Sequence, residues 1–197
     1  MKRRNKAVDR ALVALRRGDR SLSGIEVLAN GAFASHKLPH RQVSALFAAL
    51  AKLAMDRGEE EPMRRGALYG VRGFFDRRSA RVMLRILSHR EEPPILRAEA
   101  AEGLGATLRA PKDGVTDPWL GSVSTVLGNC LSDPSVDIRF WATYSIGMLR
   151  LSEHRPKLEL LAQDAAVADG FWSVAVESAD VLAVLDGREW PLRRRTP

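Results

Sequence analysis

Only one cysteine, Cys130, stands in this chain of 197 residues. One thiol closes no intramolecular disulfide and builds no multi-thiolate metal site, and its apolar, helical surroundings predict a buried group that behaves as a small hydrophobe. Long apolar runs are missing too. None approaches the roughly 20 residues a bilayer span needs, and the N-terminal stretch Ala11 to Leu15 is cut short by Arg16 and Arg17. The expectation is a soluble, unexported, cytoplasmic protein with no membrane partner. Histidines number four; His36 and His40 have i, i+4 spacing, but Pro39 lies between them and no carboxylate motif accompanies them, which argues against a metal site. His89 and His154 stand alone near helix ends. No glycine-rich loop follows a strand, and no nucleophile pairs with a base at a recognisable spacing. No catalytic residue, metal or cofactor is therefore assigned.

What the chain does contain is an internal repeat. Arg97-Ala98-Glu99-Ala100-Ala101-Glu102-Gly103-Leu104-Gly105 and Arg139-Phe140-Trp141-Ala142-Thr143-Tyr144-Ser145-Ile146-Gly147 place Arg, small, apolar and Gly in matching slots. An earlier copy opens at Arg64 with Ala67, Leu68 and Val71, and a degenerate one at Trp172 keeps Ala175 and Ala179. The copies are 33, 42 and 33 residues apart, the longer interval holding the extra segment Ala110 to Thr116. Periods of this size signal stacked supersecondary units, each too small to bury its own apolar face.

Apolar residues recur at three- and four-residue steps almost throughout, and no alternating run between hairpin turns suggests a sheet. The fold class expected is all-α. Helices are predicted near 4–17, 21–34, 40–57, 62–74, 79–89, 94–109, 118–131, 135–151, 154–168 and 171–186, making about five antiparallel pairs. Asp117-Pro118 and Asp133-Pro134 each set a capping carboxylate beside a proline tolerated in a first helical turn. Pro39, Pro62 and Pro93-Pro94 mark further starts. Gly103, Gly105 and Gly147 fall inside helices, where each costs roughly 1 kcal/mol against alanine, so close helix-to-helix approach is expected as the compensation. Residues 187–197, ending in Arg193-Arg194-Arg195-Thr196-Pro197, lack periodicity and read as a flexible basic tail.

Charge is unevenly spread. Residues 1–98 carry 21 basic and 10 acidic side chains, residues 99–197 carry 10 and 14, and Arg outnumbers Lys 25 to 6. Such a split steers an acidic partner towards one end. Arg78, Arg81, Arg85 and His89 form one stripe, with Arg64, Arg65, Arg72 and Arg77 just before it. As a concave array these arginines would hold an acidic protein surface or nucleic-acid phosphates; the alternative is a solvated helix face.

Glu91 and Arg97 are six apart, as are Asp133 and Arg139, and each Arg follows an apolar residue and precedes the Ala, Leu/Ile, Gly stripe. This pattern resembles the HEAT-repeat family, in particular its short bacterial, phycobilin-lyase-like class. The resemblance covers 61–151 well and extends to 186, with 1–60 as a divergent helical region continuous with the array. It implies a right-handed α-solenoid in which an acid ends the inter-helix turn and an arginine opens the second helix. It further implies a ladder of polar contacts between repeats, with Glu91, Arg97, Asp133 and Arg139 as inter-repeat residues. Trp172 in the arginine slot departs from the pattern and suggests an atypical terminal repeat. The function expected is a non-enzymatic scaffold that recruits an acidic protein partner through Arg64, Arg65, Arg72, Arg78, Arg81 and Arg85, with weak, non-specific nucleic-acid binding. Some HEAT-like proteins are DNA glycosylases that use concave aromatics and a carboxylate, which directs attention to Asp137, Arg139, Trp141 and Trp172. A tetrapyrrole lyase or chaperone role is a further alternative that the family permits.

Overall fold

The computed structural model describes residues 3–108 and 118–191. The expected insertion at 110–116 and the arginines at 193–195 lie outside them. Ten α-helices are present among the described residues: α1 (Lys6–Arg16), α2 (Leu22–Phe33), α3 (His40–Met55), α4 (Glu61–Arg72), α5 (Arg77–Ser88), α6 (Pro94–Thr107), α7 (Pro118–Cys130), α8 (Val136–Leu149), α9 (Arg155–Leu161) and α10 (Val174–Leu185). Two short 3₁₀ turns, Ser35–Lys37 and Ser152–His154, precede α3 and α9. No strand occurs among these residues beyond one isolated bridge, Val167 to Ser173.

The helix starts have local causes. Asn5, Asp76 and Ser173 each accept hydrogen bonds from backbone N–H groups of the turn they cap, as does Ser21 for α2. Proline occupies the first turn of α4, α6 and α9, where its missing N–H is no loss. Asp133 behaves differently from the sequence expectation. α8 starts at Val136 behind Ser135, and Asp133 instead accepts the Ser135 N–H in the turn at 3.0 Å while its second oxygen leaves the repeat altogether. α9 is also shorter than its apolar periodicity suggested, because the chain leaves the helix after Leu161 to form a loop whose Asp164 carboxylate is engaged elsewhere.

Each odd-numbered helix packs on the even-numbered helix that follows it, giving five helix pairs. The pairs stack into a solenoid. Successive even helices α2, α4, α6, α8 and α10 meet along extensive interfaces, whereas successive odd helices touch sparsely. A stack bends towards its tighter row, so the even helices form the inner row and the odd helices the outer one. Missing side chains permit the tight approach: a Cβ on Gly105 of α6 would lie 2.8 Å from Ser145 Cα of α8, and one on Gly147 would lie 2.7 Å from Val181 of α10. The Ser145 hydroxyl uses that proximity, accepting from Gly105 N at 3.1 Å and donating to Ala101 O at 2.6 Å. A continuous core, from Val8 and Leu12 through Leu46, Leu68, Met83, Leu96 and Leu104 to Ile138, Ile146 and Val181, runs between the rows.

Candidate protein-binding surfaces

The three arginines that open the repeat copies occupy the fourth position of α4, α6 and α8, just inside the second helix of each pair. Arg64 donates from Nε to Ala54 O, and Arg97 from Nε to Leu87 O, so each meets a free carbonyl in the last turn of the preceding helix. A cation there also answers the negative end of that helix's dipole. The far side of each guanidinium crosses to the next repeat: Arg64 reaches Glu92 at 2.5 Å, Arg97 reaches Asp133 at 2.7 Å and Arg139 reaches Asp164 at 2.9 Å. Arg139 takes its carbonyls from the turn itself, Asp133 O and Pro134 O.

Glu91 is not a rung of this ladder. Its side chain is 76% exposed and approaches only Arg57, at 3.9 Å, while its neighbour Glu92 is 6% exposed and receives both Arg57 and Arg64. Burial alone would raise the Glu92 carboxyl, but hydrogen bonds from Arg57 and Arg64 outweigh it and hold the group below its usual range. Arg64, expected to face a partner, is 5% exposed and wholly engaged by the fold. It is a structural residue, because its fourth-position slot aims it at the repeat junction rather than at solvent.

The remaining expected contact residues fall on two opposite sides. Arg65 and Arg72 project from α4 on the inner row, where Arg65 pairs with Glu99 at 2.8 Å and Arg72 with Glu102 at 2.7 Å, both on α6. Glu99 is raised by burial, with Arg65 opposing and the charges of Glu102 and Glu61 adding to the rise. Between the two ion pairs Tyr69 is 54% exposed, beside a hollow of about 560 Å³ lined by Leu22, Glu26, Asn30 and Glu99. Arg78, Arg81 and Arg85 belong to α5, an outer-row helix, so the concave arginine array does not form. Arg78 is held by Asp76 at 2.7 Å and lies over the Phe47 ring, its guanidinium carbon 4.7 Å from the centroid. Arg81 and Arg85 are exposed and have no carboxylate partner among the described residues.

The residues singled out for base-excision chemistry are engaged by the fold. Trp141 stacks edge-on against Phe140, Tyr144 and Phe171, and Trp172 donates its indole N–H to Glu177 at 2.7 Å. Asp137 accepts the Asp169 N–H at 2.9 Å, fastening the loop before α10. Trp190, in the segment expected to be a mobile tail, packs against Tyr144 with ring centroids 5.5 Å apart. His154 has a role the sequence did not signal: its Nε2 lies 2.8 Å from the Ser124 hydroxyl, which donates to Glu153 at 2.5 Å. The hydroxyl has one proton, so both bonds form at once only when that proton goes to Glu153 and the histidine nitrogen donates to the serine oxygen. The cluster anchors the turn before α9 to α7. Gln42 is a second such residue, 5% exposed, bonded to Asn5 and Asp9 and joining the first outer helix to the second.

No family model matches the chain, and no curated protein matches it. Among solved structures it is similar to a designed armadillo repeat protein in complex with the peptide (KR)4, at 16% identity and a TM-score of 0.54, over 90% of this chain and 81% of that one. The likeness is one of fold: a helical-repeat solenoid.

Proposed function

We propose that the protein is a non-enzymatic helical-repeat scaffold whose outer row recruits an acidic protein partner. The observation that carries this reading is the contrast in how arginines are used. On the ladder and the inner row every arginine expected to bind meets a glutamate or aspartate, whereas Arg81 and Arg85 on α5 stand exposed without one. Desolvating an already compensated pair gains little for a partner, while an uncompensated cation offers both steering and a charge-assisted hydrogen bond. The neighbouring designed solenoid is in complex with a peptide, which supports a protein ligand for this architecture.

The test is a capture experiment from host lysate with and without nuclease treatment, with the wild-type chain and the Arg81→Glu, Arg85→Glu double variant as baits, read by quantitative mass spectrometry. The wild type is expected to enrich acidic proteins that the variant loses. An unchanged set on the variant bait, or loss of all captured protein on nuclease treatment, overturns the reading, the latter in favour of nucleic acid.

A further inference from the structure

Outer-row helices α1 and α3 lie side by side but touch sparsely, and the gap between them is an open groove made of two adjoining hollows of about 310 and 630 Å³ that share Arg16 and Ala45. Its floor is apolar, formed by Leu12 of α1 with Ala45, Ala48 and Ala49 of α3, and Val13 and Leu15 stand on its two flanks; Val13 is 43% exposed. Its rim is basic. Arg4 and Arg20 are taken up by Asp9 and Glu59 at 3.0 and 2.5 Å, and Asp56 accepts the Gly58 N–H. Arg16, Arg41 and Lys52 are exposed and have no carboxylate partner among the described residues; against them stands only the Asp56 carboxylate, which is paired with no cation there, so the groove keeps an excess of positive charge.

We propose that this groove docks an amphipathic helix of the protein partner, apolar stripe on the Leu12 and alanine floor between Val13 and Leu15, acidic flanks against Arg16, Arg41 and Lys52. The inference rests on the acidic-partner reading above and gives that partner a shape. A helix is the fitting occupant because both walls are helices whose backbone groups are bonded internally. An extended strand would lay its own N–H and C=O groups on an apolar floor with nothing to receive them, whereas a helix arrives with those groups satisfied. Alanines in the floor let a third helix axis approach to the roughly 8 to 10 Å at which helices pack. The 11 residues of α1 give the groove a length of about 16 Å, three turns of a docked helix, enough for anchors at i, i+3 or i+4 and i+7. The uncompensated cations then select glutamate or aspartate beside those anchors and disfavour lysine.

Fluorescence anisotropy with three labelled peptides tests this: a leucine-striped helix flanked by glutamates, the same helix flanked by lysines, and a scramble of the glutamate peptide. The glutamate peptide should bind saturably and the other two should not. Arg16→Glu with Lys52→Glu should weaken it by about tenfold or more, as expected for reversed complementary charge. Ala48→Phe, at an exposed position that leaves the core untouched, should abolish binding by filling the floor, with an unchanged melting curve as the control. Arg81→Glu with Arg85→Glu should leave the peptide's affinity as it is. Absence of saturable binding, equal binding of the scramble or lysine peptide, or full affinity in Ala48→Phe overturns the groove. Binding that survives Ala48→Phe but disappears with the α5 reversal overturns the groove while leaving the acidic-partner reading standing.

Discussion

Two adjacent glutamates show how finely position governs the worth of a charge. Glu91 sits in water; Glu92, one residue on, is buried between two guanidinium groups. Removing one member of a buried pair strands the other, so Glu92→Gln should cost about 3 to 5 kcal/mol in a denaturant titration, whereas Glu91→Gln should stay within about 0.5 kcal/mol of wild type. The same carboxyl sets a direction in pH. Its folded-state value is depressed, so the stability it contributes is complete above the ordinary carboxylate range and is lost as pH falls through its lowered value. Thermal melts below pH 5 should therefore show the wild type approaching the Glu92→Gln variant, and a constant gap between them would refute the pairing. Sequence spacing located the arginines but chose the wrong acid at this rung, because six-residue spacing compares positions within one repeat. The rungs actually join one repeat to the next, at 28, 36 and 25 residues. A better signal was present: Glu92, Asp133 and Asp164 each stand three or four residues past the end of a first helix.

At the scale of the helix, glycine separates close packing from mere tolerance. Gly105 and Gly121 are both interior helix positions, yet a Cβ at the first meets Ser145 and at the second meets nothing within 4 Å. Gly105→Ala should wedge α6 from α8, break the Ser145 hydrogen bonds and destabilise by about 1 to 3 kcal/mol. Gly121→Ala should stabilise by up to about 1 kcal/mol, since only the backbone entropy and propensity terms remain. Equal effects from the two substitutions would end the close-approach account. Ten helices and most of their starts were legible from apolar steps and prolines. The last pair was not, because α9 stops where the Asp164 ion pair and the Val174 to Ala166 backbone bond hold the chain in a loop, contacts separated from the apolar pattern itself.

The solenoid as a whole separates its charges by row, which no linear reading of the sequence reveals. Arg64, Arg65, Arg72, Arg81 and Arg85 are near in sequence, yet the stack sends them to a repeat junction, the inner row and the outer row in turn. That division bounds what a polyanion can gain. If the groove and α5 cations Arg16, Arg41, Lys52, Arg81 and Arg85 are the ones that meet DNA, contacts to about five phosphates give a salt slope near −4.5. Between 50 and 200 mM salt, duplex DNA affinity should then fall by about 500-fold, with no preference for sequence or for alkylated bases. Anisotropy titrations across that range measure the slope directly, and the Arg81→Glu, Arg85→Glu variant should flatten it by about two. A steeper slope would mean that further cations reach phosphate, the exposed Lys6, Arg10 and Arg17 on and beside α1 before the ladder arginines, which would have to leave their carboxylates. Sub-micromolar binding at 150 mM salt would make nucleic acid, rather than an acidic protein, the ligand of this face.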